Sequence, residues 1–192
     1  MPLQNPHGIW RIRLDGSEQA FRKPSATIDG NMFPWCAIHL VTGRLYTSSY
    51  DTPSFLRAYE RMTLKYLPED DIPLQKVSMS LDRVQGGTFS PRGRLILVRS
   101  DDNALFCYSG LSGHCFSAKK LGDFDSSSSE VEDVVVAPWQ INNIPTPVHI
   151  LELDNDAGTD DFYLHSYAVA APDRLIGCRG GSGNIVEALS AV

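Results

Sequence analysis

The chain has 192 residues, 42% of them hydrophobic, which is enough for one folded domain or one and a fraction. A formal net charge of −6 with no basic run argues against a nucleic-acid groove and against attraction to an anionic membrane. No apolar stretch approaches the ~20 residues that a membrane-spanning helix requires.

Met1–His7 offers neither a basic leader nor an apolar core, so no signal peptide is expected and a cytoplasmic location is the default expectation. Residues 8–14 then alternate, with Trp10, Ile12 and Leu14 apolar between Arg11 and Arg13, and Asp15-Gly16 closes the strand. Residues 22–31 are loop-like. Cys36–Leu40, the turn Val41–Arg44 and Leu45–Tyr50 predict a hairpin. Residues 55–67 fit a helix by spacing, through Leu56, Tyr59, Met62 and Tyr66. Their counterpart at 104–114 is too rich in glycine and serine for a helix, so strand–turn–strand is expected in both places. Strands follow at 84–90, 94–98, 131–136, 148–153 and 162–167. Serine-rich 123–129 and proline-rich 141–147 read as loops, and Asp101-Asp102-Asn103 as a turn. Residues 184–189 could form a short helical turn.

These strands repeat. Gly43-Arg44-Leu45-Tyr46 returns as Gly93-Arg94-Leu95-Ile96, and Leu56–Tyr59 is echoed by Phe106-Cys107-Tyr108. A period of roughly 40–50 residues made of short strands marks β-propeller blades. The expectation is all-β: about 3–4 four-stranded antiparallel sheets over 1–172, forming an incomplete ring, and a poorly tied glycine-rich tail over 173–192. A six-bladed ring at this period needs on the order of 290 residues, so the chain reads as the C-terminal part of a longer propeller. An open arc leaves strand edges and apolar blade faces uncovered, which invites self-association.

Four segments carry a family resemblance: Cys36–Tyr46, Val84–Leu95, Glu130-Val131-Glu132 and Val148–Asp156. Over residues 8–168 they resemble a bacterial β-propeller family, similar in style to the SMP-30/gluconolactonase-like and esterase-like phytase propellers. The resemblance implies a Glu-x-Glu whose glutamate points into the central channel and meets a divalent cation. Here Asp133 follows Glu132 where that motif has glycine.

Glu130, Glu132, Asp154 and Asp156 are the candidate metal ligands, with Ca²⁺ the expected ion because it takes 6–8 oxygens. The loop 154–160 places glycine at 158, where an EF-hand needs an oxygen ligand, and a solvated hairpin turn is its other reading. His39, Gln85 and His149 are the candidate ligand-binding residues. His39, His149 and His165 fall in predicted strands, and His149 and His165 are expected to face each other across the last hairpin. Gln85-Gly86-Gly87 reads as a simple turn, and it also permits a bulge or a close backbone approach to a channel ligand. Tyr46, Tyr59, Tyr108 and Tyr163 read as packing residues.

No Gly-x-Ser-x-Gly is present, and Gly180-Gly181-Ser182-Gly183 lacks a P-loop lysine. Cys36, Cys107, Cys115 and Cys178 form no Cys-x-x-Cys and read as buried thiols. A Cys107–Cys115 bridge across one hairpin is the alternative for an exported protein. Two functions stay open. One is a propeller module that binds a small molecule or a protein partner. The other is a metal-assisted hydrolase of lactonase or phosphoric-ester type, with Glu132 as ligand and His149 as base.

Overall fold

The computed structural model describes residues 8–17, 19–22, 33–99, 103–121, 129–136, 146–154, 161–169 and 190–191. The described residues contain no α-helix. Every sheet is antiparallel. A hairpin comes first, β1 (Ile9–Ile12) on β2 (Gln19–Arg22). Three four-stranded meanders follow. Blade one is β3 (Ala37–Ile38), β4 (Leu45–Thr47), β5 (Phe55–Tyr59) and β6 (Ile72–Pro73). Blade two is β7 (Val84–Phe89), β8 (Arg94–Arg99), β9 (Ala104–Ser109) and β10 (Cys115–Lys120). Blade three is β11 (Ser129–Val136), β12 (Thr146–Asp154), β13 (Asp161–Val169) and β14 (Ser190–Ala191).

Contacts between neighbouring blades concentrate on their first strands, β3 beside β7 and β7 beside β11. Sheets that touch along their first strands and splay outward are propeller blades set about a common axis. The ring is not closed. Residues 55–67 are strand, turn and bridge, ending in the pairing of Tyr59 with Tyr66. The repeat therefore overrode the helical spacing.

Blade faces supply the core. Between blades one and two lie Trp35, Tyr46, Leu56, Phe89, Leu95, Leu97, Phe106 and Tyr108. Between blades two and three lie Ile96, Val98, Leu105, Cys107, Val131, Val134, Val148 and Ile150. Adjacent residues of β8 thus feed opposite cores, Leu95 and Leu97 one and Ile96 and Val98 the other. A strand buried on both faces needs the continuous apolar run Leu95–Val98. The hairpin's Ile9 packs on Leu45, Tyr59 and Leu64 of blade one. Where the β5–β6 ladder has only two pairs, Asp71 reinforces it. Its carboxylate accepts from Arg57 at 2.8 Å, from the Tyr66 hydroxyl at 2.6 Å and from the Ala58 N–H at 2.9 Å.

The cysteine alternative is corrected by register. Cys107 pairs with Ser117 and Cys115 with Tyr108, so the two thiols lie on opposite faces of blade two and are free. Cys107 is buried in the core toward blade three, and burial pushes its thiol up to about 12. Of the expected tail, Ser190–Ala191 pairs with β13, and 170–189 lie outside the described residues. Of the expected loops 123–129 and 141–147, residues 123–128 and 141–145 also lie outside the described residues, and Ser129 lies in β11. Pro147, expected in a loop, lies in β12.

Candidate functional site

The first strands of blades two and three each carry an extra residue. In β7 the pairing steps from Val84 with Arg99 to Gly86 with Val98, leaving Gln85 as a bulge. In β11 it steps from Val131 with Glu152 to Asp133 with Leu151, leaving Glu132 as a bulge. Bulges re-aim a side chain and tighten local twist, and they gather at rims and sites. Two predicted site residues, Gln85 and Glu132, are the bulged ones. Both are half-buried.

Gly86 and Gly87 explain how the blades close here. A Cβ on Gly86 would lie 2.5 Å from the Asp133 Cα, and one on Gly87 would lie 2.7 Å from the Trp35 ring. Consecutive glycines on opposite faces therefore let blade three and the Trp35 indole both reach the backbone of β7. The close approach expected of these glycines is made by protein rather than by a ligand.

Burial raises the Glu132 carboxyl, and the neighbouring charges of Glu130 and Asp133 raise it further. Burial also raises Asp133, against the N–H groups of Val134 and Gly87 that favour its charge. Asp156 and the Asp154 side chain lie outside the described residues. Among the described residues no group of three His, Cys, Asp or Glu converges as a metal cage.

His39 is fully buried between the turns of blades one and two. Its Nδ1 accepts from the Thr42 N–H at 3.1 Å, and its ring meets Phe89 edge-on at 4.8 Å. Gly93 carries no Cβ because one would sit 2.4 Å from His39 Nε2. Burial holds this imidazole below its ordinary 6.5, with the Gly93 backbone working against the shift.

The expectation for the last hairpin is corrected. His149 pairs with Ser166 and His165 with Ile150, so the two histidines occupy opposite faces of blade three. His165 instead contacts buried Glu152 through Nε2.

The turns were not singled out as sites in the sequence, yet they form the most distinctive surface. His39–Arg44, Glu60–Lys65 and Ser109–His114 share one geometry. In each, the first N–H donates to the carbonyl five residues on, and the N–H four residues on donates back. In each, the first side chain also accepts N–H groups inside the loop. His39 takes Thr42, Glu60 takes Met62 and Thr63, and Ser109 takes Leu111 and Ser112. The fourth-on position has positive φ: Gly43 at 66°, Leu64 at 56° and Gly113 at 64°.

Antiparallel connection puts the two turns of one blade at the same end. The packing of Gly93 and Gly110 against His39 brings blade two's turns to that end as well. The loop tips there are apolar: Leu40 is 57%, Val41 65%, Met62 58% and Leu111 67% exposed. Arg61 and Arg92 are exposed beside them. The signal in the sequence was large apolar residues inside loops otherwise made of turn formers. Elsewhere, the 74–81 segment leading from β6 toward β7 lines a cleft of about 340 Å³ with Pro53, Lys76, Met79 and Tyr108. It contains none of the predicted site residues.

No family model and no curated protein matches the chain. Solved structures do. The chain is similar to the WD40 repeats of RRP9 at 13% identity and a TM-score of 0.49, covering 88% of this chain and 43% of that one. It is similar to Kluyveromyces lactis Hsv2 at 14% identity and a TM-score of 0.45, covering 85% and 55%. U3-55K matches at 10% identity and a TM-score of 0.45, covering 82% and 46%. The chain thus spans about half the length of these proteins. The propeller architecture rests on the blades described above and not on these matches. The matches do not support the narrower resemblance to SMP-30-like or phytase-like propellers, nor a bacterial origin.

Proposed function

We propose that this chain is a non-catalytic propeller module whose turn-bearing end binds a protein partner. The supporting observation is the cluster Leu40, Val41, Met62 and Leu111, carried on turns that are each closed by two backbone hydrogen bonds. Such side chains add nothing to the core. Clustered apolar side chains among polar ones are what a partner's anchor residues bury. Arg61 and Arg92 beside them favour a partner segment with apolar anchors flanked by carboxylates.

The test is a displayed peptide library selected on the wild-type chain and counter-screened on Leu40→Ser/Met62→Ser/Leu111→Ser. Enriched peptides should carry apolar anchors among acidic residues. Their affinity should fall about tenfold or more on the triple variant, with melting unchanged. Equal binding to both proteins would overturn the reading. A Ca²⁺ titration in the same samples addresses the metal-assisted alternative. A melting rise abolished by Glu132→Ala would favour that alternative over a purely binding module.

A further inference from the structure

Arg44 and Arg94 hold the same place in successive blades, each directly after the positive-φ glycine of the Gly-Arg-Leu repeat. Their surroundings differ. Arg44 donates from Nε to the Asp70 carboxylate at 2.7 Å. Asp70 is available because blade one adds residues 66–71 between the Glu60–Lys65 turn and β6. Blade two runs from the matching Ser109–His114 turn directly into Cys115 of β10, so no residue takes the place of Asp70.

The neighbouring segments supply no acid either. Residues 89–94 and 109–116 hold Arg92, Arg94 and His114 and no aspartate or glutamate. Residues 137–145, which join β11 to β12, hold none. Asp101 and Asp102 fall between β8 and β9, at the opposite end of those strands from Arg94. The Arg94 Nη1 is buried with no hydrogen-bond partner among the described residues. A buried guanidinium N–H without an acceptor costs stability.

Blade two nevertheless holds this guanidinium in place. In β10 the pairing steps from Cys115 with Tyr108 to Ser117 with Cys107, leaving Phe116 as a bulge. The Phe116 ring lies under the Arg94 guanidinium, 5.1 Å from its central carbon. His114 meets the same ring edge-on at 5.2 Å. Phe116 is 41% exposed and Arg94 is half-buried. Arg94 also pairs with Ser109, the residue that opens the Leu111 turn. A guanidinium held over a ring keeps its edge donors for a planar acceptor, and a carboxylate can take two parallel bonds there.

We propose that Arg94, held over Phe116, receives a carboxylate of the partner segment whose apolar anchor sits on Leu111. This rests on the reading of the turn-bearing end as a protein-binding surface, and it names the residue that selects acidic over neutral segments there. An acid supplied by the partner does for Arg94 what Asp70 does for Arg44 within the chain.

The full chain carrying Arg94→Met tests it in two ways. Unbound, the variant keeps an unbranched stem over Phe116 and loses the buried donor. It should melt no lower than wild type and up to about 2 °C higher. Peptides enriched on wild type in the selection above are then remade with each aspartate or glutamate as its amide. At one position the amide should cost about tenfold in affinity on wild type and less than about twofold on Arg94→Met. On Arg92→Met the tenfold cost should remain.

Three results would overturn the inference. Arg94→Met could melt below wild type, which would make the guanidinium a support of the fold. The amide cost could couple to Arg92 or to neither arginine in peptides that still need Leu40, Met62 and Leu111, and the partner reading would then stand alone. Enriched peptides could bind the triple serine variant as well as wild type, or none could be enriched, and both readings would fall together.

Discussion

Blade two and blade three use the same four-strand meander with different surroundings. Blade two is covered on both faces, and its β8 and β9 are buried almost throughout. Blade three is covered on one face, and Phe162 and Leu164 stand in solvent. The difference teaches that apolar content alone does not locate the core of a propeller. The core is wherever a second blade arrives, and an identical residue type is structural on one face and exposed on another.

The largest effect should come from breaking the covered blade. Leu97→Ala, at a fully buried position, should cost about 2–5 kcal/mol in urea unfolding, whereas Leu164→Ala on the open face should stay within about 0.5 kcal/mol in dilute monomer. A comparable loss at Leu164 would mean that its face is covered in the monomer.

Next come the glycines at the contact between blades. Gly86→Ala should cost on the order of 1–3 kcal/mol, because its new methyl meets the Asp133 backbone at 2.5 Å and must push blade three away. Gly43→Ala, whose added methyl meets nothing within 4 Å, should lose only what its positive φ demands, about 1 kcal/mol.

A pH comparison is smaller and has a definite sign. The folded state holds the His39 imidazole below 6.5, so the unfolded chain binds the proton more readily. The stability that neutral His39 contributes is complete above pH 6.5 and declines as the pH falls from there toward the folded-state pKa. His39→Phe should flatten this part of the melting-versus-pH curve, and an unchanged curve would show that another group controls it.

Smallest of all, Glu132→Gln should raise the melting temperature slightly at neutral pH. Its carboxyl is raised in the folded state, so ionisation costs stability as the pH climbs past 4.5. A fall in melting temperature would mean that the charge has a favourable partner.

Much of the fold was legible because the turns repeat. Gly43 and Gly93 mark equivalent strand starts, and glycine at 110 and 113 ruled out helix in one unit and hence in its neighbour. The site was less legible. Pairing register in the last hairpin decides the faces of His149 and His165, and a slip of one residue exchanges them. The bulge at Gln85 was suggested by the glycines after it. The bulge at Glu132 had no such marker, since Asp133 follows where a glycine would have announced it. His39 was expected in a strand as a ligand-binding residue, and only the approach of Gly93 from the next blade shows that the ring is fully buried against protein.

The position of Cys107 supplies a reporter for how these sheets come apart. Its thiol is sealed at the seam between blades two and three, and burial disfavours the thiolate that alkylating reagents attack. Cys36 is exposed and serves as an internal clock in the same molecule. The ratio of the two labelling rates would time the parting of one seam without any engineered tag, and would tell whether the arc opens blade by blade or all at once.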